Sequence, residues 1–107
     1  MKKKYMAIYS TFPDFASASA CARMLLTEQL VACVNCIPKI HSFYMWDDDM
    51  VDSSEVVMIA KTNNEQIEAS FERIKQLHPY ESPCILSLPI DHLDEKYASW
   101  VNDNLKK

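Results

Sequence analysis

The 107-residue chain contains no glycine at all. Phosphate cradles built on glycine, the P-loop and the dinucleotide fingerprint alike, are therefore excluded. Tight turns must instead use Asn, Asp and Pro, the other residues suited to them. Long apolar runs are also missing: none approaches the roughly 18 residues of a membrane span. Only Tyr5–Tyr9 is apolar before Ser10 and Thr11, too short for the hydrophobic segment of a secretion signal. Positive charge is scarce, with clusters only at Lys2-Lys3-Lys4 and Lys106-Lys107, and a net charge of −4 offers no field to a polyanion. Neither nucleic acid nor a membrane is expected as a partner. Four cysteines without a secretion signal read as thiols in a reducing compartment, so the expected location is cytoplasmic.

A 49% hydrophobic share and 24% charged residues describe one globular domain over residues 1–107. A chain of this size buries about two thirds of its unfolded surface and needs no staples. Tyr5–Ser10 reads as a strand. Asp14 is a candidate N-cap for a helix whose Ala18, Ala22, Leu25 and Leu26 fall on one face, fading near Leu30. Val31–Ile37 and His41–Trp46 read as one long strand interrupted at Pro38, where a bulge or an edge position is expected. Asp47-Asp48-Asp49 is the hairpin tip and Glu55–Lys61 the returning strand. Thr62 through Glu65 fits a capping box before a helix carrying Ile67, Phe71 and Ile74. His78-Pro79 ends that helix. Ile85–Ile90 is a last strand, and Asp91 or Asp94 starts a terminal helix with Tyr97, Trp100, Val101 and Leu105 on one face.

This order predicts an α+β, ferredoxin-like βαββαβ subunit with an antiparallel sheet and an extra C-terminal helix. In "EVVMIAK", Val57 and Ile59 alternate with Val56, Met58 and Ala60, so both faces of the strand are apolar. Two helices cover one face; the other calls for a second subunit or the terminal helix.

Four groups invite a chemical reading. Cys33-Val-Asn-Cys36 has metal or redox spacing, but on a strand positions 33 and 36 face opposite ways. A zinc site also needs a second pair, and a redox pair a following helix. Asp47, Asp48, Asp49 and Asp52 resemble a calcium loop, yet its sixth and twelfth positions would be Asp52 and Met58 rather than Gly and Glu. His78 sits at a helix end, where the dipole favours an imidazolium, with ligation or substrate contact as the next reading. Glu55 and Lys61 share parity on one strand but lie ~20 Å apart. Lys61, before a helix N-terminus, is a candidate to attract a small anion. The histidines at 41, 78 and 92 sit in no catalytic motif, and no enzyme is expected.

Taken together, "LLTEQLVACVNCIP", "SFYMW", "SEVVMIAKT", "LHPYESP", "LPI" and "YASWV" resemble the CutA family of divalent-cation tolerance proteins, over about Thr11–Val101. The resemblance implies a homotrimer of ferredoxin-like subunits, similar in assembly to the PII-type signalling proteins, with ligands held between subunits. It carries cleft roles onto Cys33, Trp46, Glu55, Lys61 and His78, with Tyr80 and Glu81 in the adjoining His-Pro-Tyr segment. Copper or another divalent ion is the implied cofactor. Copper-linked members can carry a cysteine and a His-His pair where this chain has Ser10 and Leu77-His78. Cys84 replaces a usual glutamate, and the usual hairpin glycine is absent, leaving Asp48 or Asp49 to make the turn. Cys33, His78 and Cys84 are thus the candidate soft-metal ligands. A regulatory module binding a small anionic effector, or a scaffold without a ligand, are the alternatives.

Overall fold

A computed structural model describes residues 4–107. Lys2 and Lys3 of the amino-terminal basic cluster lie outside the described residues. The elements are β1 (Tyr5–Phe12), α1 (Phe15–Thr27), β2 (Cys33–Trp46), β3 (Asp49–Asn63), α2 (Ile67–Leu77), β4 (Ile85–Ile90) and α3 (Glu95–Asp103). The strands form one sheet in the order β2-β3-β1-β4, with every neighbouring pair antiparallel. This is the expected ferredoxin-like α+β plan with a terminal helix.

The alternation in β3 sorts its residues as the sequence implies. Val56, Met58 and Ala60 join Ile8 and Phe12 of β1, Leu25 of α1 and Ile74 of α2 in the main core. On the opposite face α3 covers only one end of the sheet, where Val101 and Leu105 pack with Ala32, Tyr5 and Tyr97. Farther along that face, β4 sets Leu86 opposite Tyr9 and Leu88 opposite Ala7. Leu86 and Leu88 remain exposed. Pro89 is tolerated in β4 because that strand pairs only with β1 and forms a sheet edge.

Local signals explain most boundaries. The Asp14 side chain accepts from the Ser17 amide at 2.7 Å, starting α1 as expected. Asp94 does the same for Tyr97 at the start of α3. The capping box at Thr62 does not form. The Thr62 hydroxyl, fully buried, donates instead to the Leu30 carbonyl at 2.7 Å. The Asn63 side chain takes the Glu65 amide, and α2 starts only at Ile67.

Without glycine, left-handed backbone falls to Gln29, Lys39, Asp47 and Asp48. The Asp47-Asp48 pair makes a two-residue hairpin turn with both φ angles positive, the geometry that suits the twist of the flanking strands. The turn therefore uses Asp47 and Asp48, while Asp49 already belongs to β3. Lys39 marks the interruption at Pro38. Ile37 pairs with Val57 and Ile40 with Glu55, so β2 spends one more residue than β3 and bulges. Beyond the bulge the hairpin runs past the end of β1, whose last partner is Val56. That outer part forms a two-stranded arm.

Candidate functional site

The bulge decides which side chains meet at the base of the arm. Side chains directly opposite one another share a face. The pairs Ile40–Glu55, Tyr44–Val51 and Trp46–Asp49 therefore put Tyr44 and Trp46 on the face of Glu55. An unbulged strand would have pointed them the other way. Between these residues and the loop after α2 lies a cavity of about 560 Å³. Tyr44, Trp46 and Val51 line it from the arm, Glu55 and Thr11 from the sheet, and Tyr80, Ser82 and Cys84 from the loop.

His78 holds that loop in place. Its Nδ1 accepts from the Tyr80 amide at 3.1 Å, so the proton of the neutral ring sits on Nε2, which donates to the Thr11 carbonyl at 2.8 Å. The ring stacks on Phe12 with centroids 4.1 Å apart. Burial lowers its pKa below 6.5, against the Thr11 bond and the Glu55 charge, which favour the proton. The expected imidazolium at the helix end is thus corrected: His78 is a buried neutral ring that ties the loop to β1.

Tyr80, so placed, donates its hydroxyl to Glu55 Oε2 at 2.8 Å. Burial, then Glu55, pushes the Tyr80 phenol up to about 12, so it stays a donor. Glu55 is 8% exposed. A fully buried Ser10 hydroxyl donates to the Cys84 carbonyl at 2.7 Å and fixes the loop's far end.

A second group occupies the other end of β3. Cys33 lies opposite Lys61, and the Lys61 ammonium donates to Cys33 Sγ at 3.8 Å and to the Asn35 side chain. Burial first, then the neighbouring Cys33 thiol, raises the pKa of the Tyr97 phenol of α3. Lys61 and Glu55 share a face of β3 but stay ~20 Å apart, as their spacing implies.

The structure therefore gathers Trp46, Glu55, Tyr80 and Cys84 around one cavity with His78 behind it, and leaves Cys33 and Lys61 elsewhere. Glu81 is exposed within the same loop. Within one chain Cys33, His78 and Cys84 do not converge, and both nitrogens of His78 are engaged. Among the described residues no group of three or more His, Cys, Asp or Glu is placed to hold a metal ion. Cys36 turns to the core, where burial raises its thiol pKa, as its parity implies. Sequence reasoning missed Tyr44, Val51, Thr11 and Ser82. Tyr44 alone had a signal, two residues from Trp46 on a strand.

A four-stranded antiparallel sheet in this order, two helices on one face, a terminal helix on part of the other and an overlong hairpin define a ferredoxin-like α+β domain. The family profile described as CutA1 divalent ion tolerance protein matches residues 6–104. The chain belongs to that family. It is 39% identical over 100 residues to the divalent-cation tolerance protein CutA of Pyrococcus horikoshii, covering 94% of this chain and 97% of that one. The crystal structure of divalent ion tolerance protein CutA1 from Ehrlichia chaffeensis superposes with a TM-score of 0.93 at 31% identity, covering 97% of both chains. A CutA from Archaeoglobus fulgidus, described as periplasmic, gives 0.91 at 32% identity over 95% of this chain and 99% of that one.

Proposed function

We propose that the chain assembles as a homotrimer and holds a metal ion or small ligand in clefts between subunits, of which the cavity at the arm base is one wall. The observation that carries this reading is the apolar surface left open on a single subunit. On the arm, Phe43 is 67%, Met45 59%, Trp46 68% and Met50 74% exposed. Such a concentration on a small chain calls for a covering copy. The free edges of β2 and β4 supply unpaired backbone groups for the same contact.

The relatives' name, divalent-cation tolerance protein, supports a metal role. In this chain the soft donors are Cys33 and Cys84, with His78 beside the latter. They act together only across a subunit boundary, and His78 joins only by giving up one of its two bonds. Thiolate donors of this kind favour Cu(I) over hard ions. A small anionic effector is the lesser alternative, since Lys61 is already held by Asn35 and Cys33. No catalytic activity is proposed. Four unpaired cysteines support a cytoplasmic setting.

Light scattering tests the assembly: three chains of 12.4 kDa are expected, and a monomer at micromolar concentration overturns the trimer and its clefts together. Titrating Cu(I) into wild type and the Cys33→Ser/Cys84→Ser double variant tests the ligands. Loss of tight binding is expected, and equal affinities remove the thiols from the site.

A further inference from the structure

The cavity at the arm base contains an acid and no base. Glu55 is more than nine-tenths buried, and its Oε2 accepts from Tyr80. It enters no ion pair among the described residues. The nearest cation on its own strand face is Lys61, ~20 Å away along β3. Its hydrogen-bond partner is the Tyr80 phenol, the nearby His78 ring is neutral, and none of the side chains lining the cavity is cationic. A carboxylate buried this far calls for a cationic partner.

The remaining walls say which kind of cation. Tyr44, Trp46 and Tyr80 line the cavity, and aromatic faces attract positive charge while repelling anions. A hard divalent ion needs six or more oxygen ligands or a retained water shell. The cavity offers one carboxylate, and its other oxygen-bearing side chains, Thr11, Tyr44, Tyr80 and Ser82, are neutral hydroxyls that do not meet that demand. A weakly hydrated organic cation does not need it, because its methyl or methylene groups pack on rings while its charge meets one acid. The volume of about 560 Å³ lies within the range of small-molecule sites.

We propose that this cavity takes a small organic cation of the alkylammonium type, with Glu55 as counter-ion and Tyr44, Trp46 and Tyr80 as aromatic walls. The inference rests on the cavity being a ligand site, and not on the assembly state or on metal binding.

Tetramethylammonium chloride is the probe, titrated into the full-length Trp100→Phe protein so that Trp46 is the only tryptophan reporting. Sodium chloride holds ionic strength constant. A saturable change in Trp46 emission is expected, weakened at least tenfold in Glu55→Gln. Absence of saturation, or unchanged affinity in Glu55→Gln, overturns the proposal, as does an equal response to inorganic phosphate. If Glu55→Gln fails to fold, Tyr44→Leu takes its place: several-fold weaker binding upholds the proposal and wild-type affinity overturns it. A trimer that binds Cu(I) but not tetramethylammonium sinks this inference and leaves the metal reading standing. A monomer that binds tetramethylammonium through Glu55 does the reverse.

Discussion

The β2–β3 hairpin passes through two environments. From Cys33 to Ile37 its ladder is flanked by β1 and covered on one face by α1. From Ile40 outward the same two strands stand as an arm beyond β1. Met58 and Met50 both lie on β3, yet Met58 is wholly buried and Met50 is 74% exposed. Residue type is equal and consequence is not. The inner half holds the chain together, whereas the outer half presents apolar side chains whose contribution comes only when something covers them.

The largest test of this contrast is a pair of truncations. Met58→Ala should cost about 2–5 kcal/mol through lost burial and a cavity. Met50→Ala should change the stability of an isolated subunit by less than about 0.5 kcal/mol. Urea denaturation measures both, and similar losses would erase the distinction. Any effect of Met50→Ala should appear instead as a greater dependence of unfolding on protein concentration.

At the junction of the halves, Tyr80→Phe removes the hydrogen bond that joins the loop to Glu55. A loss of about 1–3 kcal/mol is expected, because a buried carboxylate oxygen is left without its donor. A loss near zero would mean that water or a ligand replaces the phenol, which a co-crystal or mass measurement would reveal.

His78 supplies a smaller, pH-dependent effect. Its folded pKa is below 6.5, so above that pH the ring is neutral in both folded and unfolded chains. As pH falls below 6.5 the unfolded ring protonates first, and stability drops until the folded ring also protonates. Melting temperature should fall over this window in wild type, and less steeply in His78→Gln. Parallel profiles would assign the acid sensitivity to other groups.

The smallest effects concern the left-handed residues. Gln29→Gly, between α1 and β2 in the helix-covered half, should stabilise the subunit by about 1 kcal/mol. Asp48→Gly at the arm tip relieves a similar strain, but aspartate tolerates that region better, so a few tenths of a kcal/mol is expected. Calorimetric melting of the two variants ranks them, and a larger gain at Asp48 would reverse the order.

Much of the fold was legible because its signals were local. The parity of Cys33 and Cys36, the Asp14 cap and the alternation in β3 each depend on side-chain direction within a few residues. The Thr62 capping box failed because a distant group, the Leu30 carbonyl, offered its hydroxyl a buried partner. His78 was misread as a charged helix end for the same reason: Thr11 meets it only after folding. Glutamine and lysine, not only aspartate, took left-handed positions, since chain geometry had to turn there whatever residue was present. Of the site, Trp46, Glu55 and Tyr80 were recovered through family resemblance. Tyr44 reaches the cavity only because β2 is out of step with β3, whereas Thr11 comes to it along the regular β1–β3 ladder, a pairing made only on folding.

That irregularity constrains how the arm can vary. Lys39 shifts the phase of β2 by one residue, and phase on a strand has only two values. Deleting Lys39, or inserting one residue between Ile40 and Tyr44, would exchange the Tyr44–Trp46 side for the His41–Phe43–Met45 side. Adding two residues to each strand would lengthen the arm and keep the aromatic side where it is. Evolutionary or engineered changes in arm length that preserve the cavity should therefore come in even steps on β2, a rule that sequence identity alone does not express.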